Sequence, residues 1–130
     1  MSAAQHSRAL SLPGDPAQWP QVAGVREGDG QFALELQVPE SLCWFAGHFP
    51  GTPVLPGVVQ VFWAECFARQ LFGRFPDEYL LRNLKFNQMV LPGAALTLTL
   101  AEDVQKGRLE FRYTQADDAV SSGAFTESGA

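Results

Sequence analysis

An α+β domain is predicted, with a curved antiparallel sheet wrapped around one long central helix. Three observations predict it. Residues 57–72 are apolar on almost every helical face, and a helix that is apolar all round must be buried all round. Several short segments on both sides of it alternate apolar and polar residues, the period of a strand with one buried face. The length of 130 residues suits a single core, and in so small a domain the simplest wrapper for one helix is a sheet.

The elements follow in order. Residues 1–20 carry Pro13, Gly14, Pro16 and Pro20 without periodicity and read as a flexible lead-in, leaving residues 21–130 as the domain. Val22 to Arg26 is a short strand candidate, and Gly28-Asp29-Gly30 is a turn signal. Gln31 to Val38 alternates Phe32, Leu34, Leu36 and Val38 with polar or small residues. Ser41 to Phe45 is a short apolar piece. Pro56 suits a helix start, because its fixed φ and missing N–H cost nothing there. Gly73 suits a helix end. Strands are predicted over Tyr79–Phe86, Ala95–Ala101, Leu109–Tyr113 and Val120–Phe125, with Thr126 to Ala130 fraying. A sheet wrapped on one helix is the hotdog arrangement. An open edge strand and sparse surface charge fit dimerisation through the sheets.

Composition narrows the function. Apolar residues make up 46% of the chain and charged residues only 18%, so much of the surface is expected to be weakly polar or covered by a partner. A net charge of −5 argues against nucleic acid and anionic membrane as partners. Cys43 and Cys66 lack metal-ligand spacing and read as small core residues. There is no zinc spacing, phosphate-binding glycine loop or serine elbow, so no metal or nucleotide cofactor is expected. The opening residues lack the apolar stretch of a signal peptide, and no apolar run reaches the length of a membrane span, so a cytoplasmic protein is expected.

The segment Trp44-Phe-Ala-Gly-His48-Phe-Pro-Gly-Thr-Pro-Val-Leu-Pro56-Gly57-Val-Val carries the chemistry. It places one of the two histidines in a loop stiffened by three prolines and feeds directly into the buried helix. His48 suits proton transfer because imidazole titrates near working pH. The helix start at Gly57 and Val58 offers free N–H groups and the positive end of the helix dipole, and Gly57 leaves room for a ligand. Gln60 is placed to orient His48 or a substrate carbonyl, or to bond to backbone. His6 lies in the polar lead-in and reads as solvated.

Gly47-His48-Phe49-Pro50-Gly51, Pro53 and Pro56-Gly57-Val58 resemble the active-site motif of the β-hydroxyacyl-acyl carrier protein dehydratases, which are hotdog enzymes. Leu84-Lys85-Phe86, Leu91-Pro92-Gly93 and Leu96-Thr97-Leu98 resemble a later segment of the same family. The Trp44-Phe45 lead-in and Val58-Val59-Gln60 look nearest to the small dehydratases of aryl-polyene-type clusters. The resemblance implies elimination of water from a β-hydroxyacyl thioester held on an acyl carrier protein, in fatty-acid, polyketide or polyene biosynthesis. It implies His48 as the base, helix N–H groups on the thioester oxygen, and a dimer whose two protomers share each site.

One departure bears on the acid. The family places Asp or Glu on the helix fourteen positions after the histidine, and here that position is Phe62. Glu65 follows one turn later, displaced by roughly 4.5 Å along the axis and about 60° around it. It is a candidate acid, or a partner for Arg69 at i+4. Three readings stay open: a self-sufficient homodimer using His48 and Glu65, a half-site or non-catalytic subunit pairing with another hotdog chain, and a hotdog acyl thioesterase. Phe62 is also a candidate wall of the acyl channel. Arg69, Arg74, Arg82 and Lys85 form a basic stretch that suits an acidic carrier protein, or simply a solvated surface.

Overall fold

The computed structural model describes residues 4–6, 15–45, 53–73 and 75–127. Seven strands and one long helix follow the chain as β1 (Ala4–His6), β2 (Gln21–Gly28), β3 (Gln31–Gln37), α1 (Gly57–Phe72), β4 (Tyr79–Phe86), β5 (Ala95–Asp103), β6 (Arg108–Gln115) and β7 (Asp118–Glu127). They form one sheet in the order β1-β2-β3-β5-β6-β7-β4, in which every pairing is antiparallel. The helix connects β3 to β4, so β4 lands at the far edge of the sheet.

The predicted alternation sets the inner face. Leu34, Leu98 and Tyr113 lie in register across β3, β5 and β6, and two residues away Phe32, Leu100 and Phe111 form the next such row. All of these side chains are buried. The helix buries Gln60, Trp63, Ala64, Phe67, Ala68 and Leu71, with Val59 and Val61 at the two margins of a broad face. Pro56 takes an extended conformation at the N-terminus, and Gly73 closes the helix at φ 71°, the left-handed region open to glycine.

Four expectations are corrected. The lead-in is not wholly free of the sheet: Ala4–His6 pairs with β2, and Pro16–Gln18 forms a 3-10 turn that delivers a buried Trp19. The helix is not buried all round, because Val58 is 75% and Phe62 41% exposed. Cys43 is exposed on a 3-10 turn at Cys43–Phe45, and Cys66 is half-buried, so neither is a fully buried core residue. The last strand continues through Glu127, where Thr126 donates to the Leu80 carbonyl. Among the described residues no helix is long and apolar enough to cross a membrane.

Candidate functional site

The site is built around the first turn of α1 and the loop that precedes it. His48 lies outside the described residues, but both ends of its loop are fixed. Phe45 is buried and its N–H donates to Leu42 O at 3.2 Å. Leu55 is buried and its N–H donates to Val90 O at 2.8 Å. The loop therefore leaves and re-enters the core at anchored points, immediately before the helix.

No side chain caps the helix. Val59 and Gln60 both turn their N–H groups to Pro56 O, at 3.1 and 3.4 Å. The N–H groups of Gly57 and Val58 have no partner among the described residues. They are the donors that an oxygen carrying developing charge would use. Val58 lies open beside them. Gly57 has a second reason to be glycine: a Cβ there would stand 2.8 Å from the Phe86 ring.

Gln60 faces inward, away from the open side of the helix. Its side-chain Oε1 accepts from Ser121 Oγ at 2.6 Å, and its backbone carbonyl accepts from Tyr113 OH at 2.7 Å. Burial first, and then the nearby Cys66, push the Tyr113 phenol well above its ordinary range, so it remains a donor.

Val58, Phe62, Glu65 and Arg69 run along the opposite face at i, i+4, i+7 and i+11. Phe62 packs on Trp19 with ring centroids 5.3 Å apart. The 3-10 turn leading to Trp19 is tied down by Trp63 Nε1, which donates to Gln18 O at 2.9 Å. Glu65 has both oxygens engaged. Arg69 Nε donates to Oε2 at 2.9 Å, and Tyr79 OH donates to Oε1. Arg69 also lies 4.4 Å over the Phe75 ring, which packs edge-on against Tyr79. Burial, then the hydrogen bond to Glu65, push the Tyr79 phenol up to about 12. Burial, then the Glu65 charge, raise the Cys66 thiol, with Arg69 opposing them.

The structure thus brings Val58 and Phe62 to one open face, packs Gly57 at the helix start against Phe86, turns Gln60 to the core, and ties Glu65 to Arg69 and Tyr79. An acid must offer an O–H to the leaving group, whereas both Glu65 oxygens face donors. Sequence reading missed Trp19, Tyr79, Phe86, Tyr113 and Ser121. A serine at an inward position of an apolar strand was the one available signal. Arg82 and Lys85 are exposed on β4, while Arg74 lies outside the described residues. No group of three potential metal ligands occurs among the described residues.

Comparison with known proteins converges on one family. The family described as "ApeI-like: ApeI dehydratase" matches residues 24–124. A 3-hydroxyacyl-[acyl-carrier-protein] dehydratase FabZ of Fusobacterium nucleatum is 33% identical over 92 residues, 62% of each chain. The match thus spans less than two thirds of that relative. Among solved structures, the dehydratase heterocomplex ApeI:P from Xenorhabdus doucetiae superposes with a TM-score of 0.73 at 29% identity, covering 83% of this chain and 96% of that one. An uncharacterized protein from Erwinia carotovora has a TM-score of 0.66 at 38% identity, covering 78% and 87%.

Proposed function

The chain belongs to the ApeI-like dehydratase family, and we propose that it eliminates water from β-hydroxyacyl thioesters carried on an acyl carrier protein. The observation that carries the reading is the uncapped helix start, where the Gly57 and Val58 N–H groups lack a partner among the described residues directly after the His48 loop. The thioester oxygen is received by these two N–H groups, which stabilise the charge it gains as the C2 proton leaves. His48 takes that proton. The C2–H electrons form the C2=C3 double bond as the C3–O bond breaks, and the hydroxyl departs as water with a proton from an acid.

Supply of the acid by a second hotdog chain is favoured by two observations. Phe62, which the sequence resemblance puts in place of the family's acid, packs on Trp19, and both Glu65 oxygens already accept hydrogen bonds. The similar structure described as a dehydratase heterocomplex supports such pairing. The second chain docks along β4, an edge strand paired among the described residues only with β7, where Leu80, Leu81, Leu84 and Phe86 are exposed. An apolar edge of that kind is a template for pairing.

The purified chain, alone and with a second hotdog subunit from its own genomic neighbourhood, is given a β-hydroxyacyl-carrier protein. An enoyl thioester that disappears in His48→Ala supports the reading. Release of free carrier thiol without enoyl product would replace it with a thioesterase. Turnover by the chain alone that is lost in Glu65→Gln would return the acid role to Glu65.

A further inference from the structure

The described core is almost wholly apolar, and apart from the Trp63 indole N–H bonded to Gln18 O its hydrogen-bonding side chains are localised. The buried polar side chains among the described residues are Gln60, 2% exposed, and Ser121, 1% exposed; with the fully buried Tyr113 hydroxyl they form one network. A buried polar network is costly unless it is fully satisfied, and a satisfied one fixes a unique geometry. This one touches the first turn of α1 and reaches it from one row of the sheet. Ser121 on β7 lies opposite Phe86 on β4 and opposite Tyr113 on β6. Such a row spans roughly 10 Å across three strands.

Each member of the row grips the first turn differently. The Phe86 ring packs against Gly57 so closely that a Cβ would meet its Cε1 at 2.8 Å. Ser121 holds the Gln60 side chain, and Tyr113 holds the Gln60 carbonyl. One contact fixes where the helix begins, and the two hydrogen bonds fix its rotation about its axis. The uncapped helix start has no side-chain device of its own to do this.

We infer that Phe86, Ser121 and Tyr113 are positioning residues that clamp the first turn of α1 and aim the Gly57 and Val58 N–H groups at the thioester oxygen. This rests on the dehydratase reading above. The three residues act through the helix and do not touch the reacting atoms. A helix turn held by apolar packing alone can roll by a fraction of its radius, and misplacement on the order of 1 Å costs a reaction about 100-fold.

The test uses Ser121→Ala, Tyr113→Phe and the double variant in the active protein, with its second subunit where activity needs one. Phe32→Ala is the control, because Phe32 packs against Phe72 at the far end of the helix. Turnover is measured where all variants remain folded. The clamp predicts a kcat lowered by at least about tenfold in the double variant, with KM changed much less, because the N–H groups act mainly on the developing charge. It also predicts faster amide exchange at residues 57–60 with exchange at residues 68–71 unchanged. The control keeps its kcat. A folded double variant with unchanged kcat and unchanged exchange at residues 57–60 overturns the clamp and leaves the dehydratase reading standing. A wild-type protein that forms no enoyl product with either subunit composition overturns the dehydratase reading instead, and the exchange measurement still decides whether the row holds the first turn.

Discussion

Replacing Gly57 with alanine isolates the contact on which the helix start depends. The new Cβ would stand 2.8 and 2.9 Å from Phe86 Cε1 and Cζ and 3.2 Å from Cδ1. Comfortable carbon–carbon separation is about 3.5–4.0 Å, so the ring or the helix must yield by roughly 0.7 Å. Overpacking of this size costs about 1–3 kcal/mol. Alanine recovers at most ~1 kcal/mol as the better helix former. In the unpaired chain the Phe86 ring is half exposed, so it can swing outward, which places the net loss there near ~1 kcal/mol. That corresponds to roughly 3 °C in melting temperature for a domain of this size. In a Phe86→Ala background the obstacle is gone, and Gly57→Ala becomes neutral or stabilising. Urea denaturation of the four proteins in this cycle reads the coupling directly. An equal cost for Gly57→Ala in both backgrounds would refute the packing argument and remove Phe86 from the clamp.

Three other outcomes are expected. Trp19→Ala should cost about 3–5 kcal/mol by urea denaturation, because Trp19 is buried and packs on Phe62 and Phe67; a near-neutral result would make residues 15–20 a detachable arm. Glu65→Gln should cost on the order of 1 kcal/mol, the worth of a partly exposed ion pair, and leave turnover by the assembled enzyme within a few-fold; loss of turnover would assign Glu65 to the chemistry. Tyr79 is held up to about 12 against an ordinary 10.0. Its contribution is therefore complete below about pH 10 and is lost as pH rises through about 12, since the unfolded phenol ionises first. Tyr79→Phe should flatten part of the alkaline decline in thermal stability, measured from about pH 9 upward, and an unchanged decline would contradict the Tyr79–Glu65 bond.

Where strong local punctuation existed, the sequence was sufficient. Pro56 and Gly73 bracket α1, and the predicted limits of α1 and β4 are the observed ones. The strand β1 was invisible because Ala-Gln-His has no alternation, and its pairing comes from the partner strand. Trp19 was hidden by its proline-rich surroundings, since composition does not reveal what a single indole covers. The even spread of apolar residues along α1 concealed its exposed face, because an exposed apolar side chain such as Val58 or Phe62 reads the same as a core one. Gly57 was legible as permissive but not as packed against Phe86, and Gln60 was legible as polar but not as inward. Both depend on strand register across β4, β7 and β6, which no local pattern carries.

Dehydration is read directly from the product formed on a β-hydroxyacyl-carrier protein, by mass spectrometry of the intact carrier with wild-type protein and with His48→Ala. Elimination by His48 predicts loss of one water from the wild-type reaction, with the thioester intact, and no loss with His48→Ala. Hydrolysed carrier thiol, or water loss that survives His48→Ala, would contradict it.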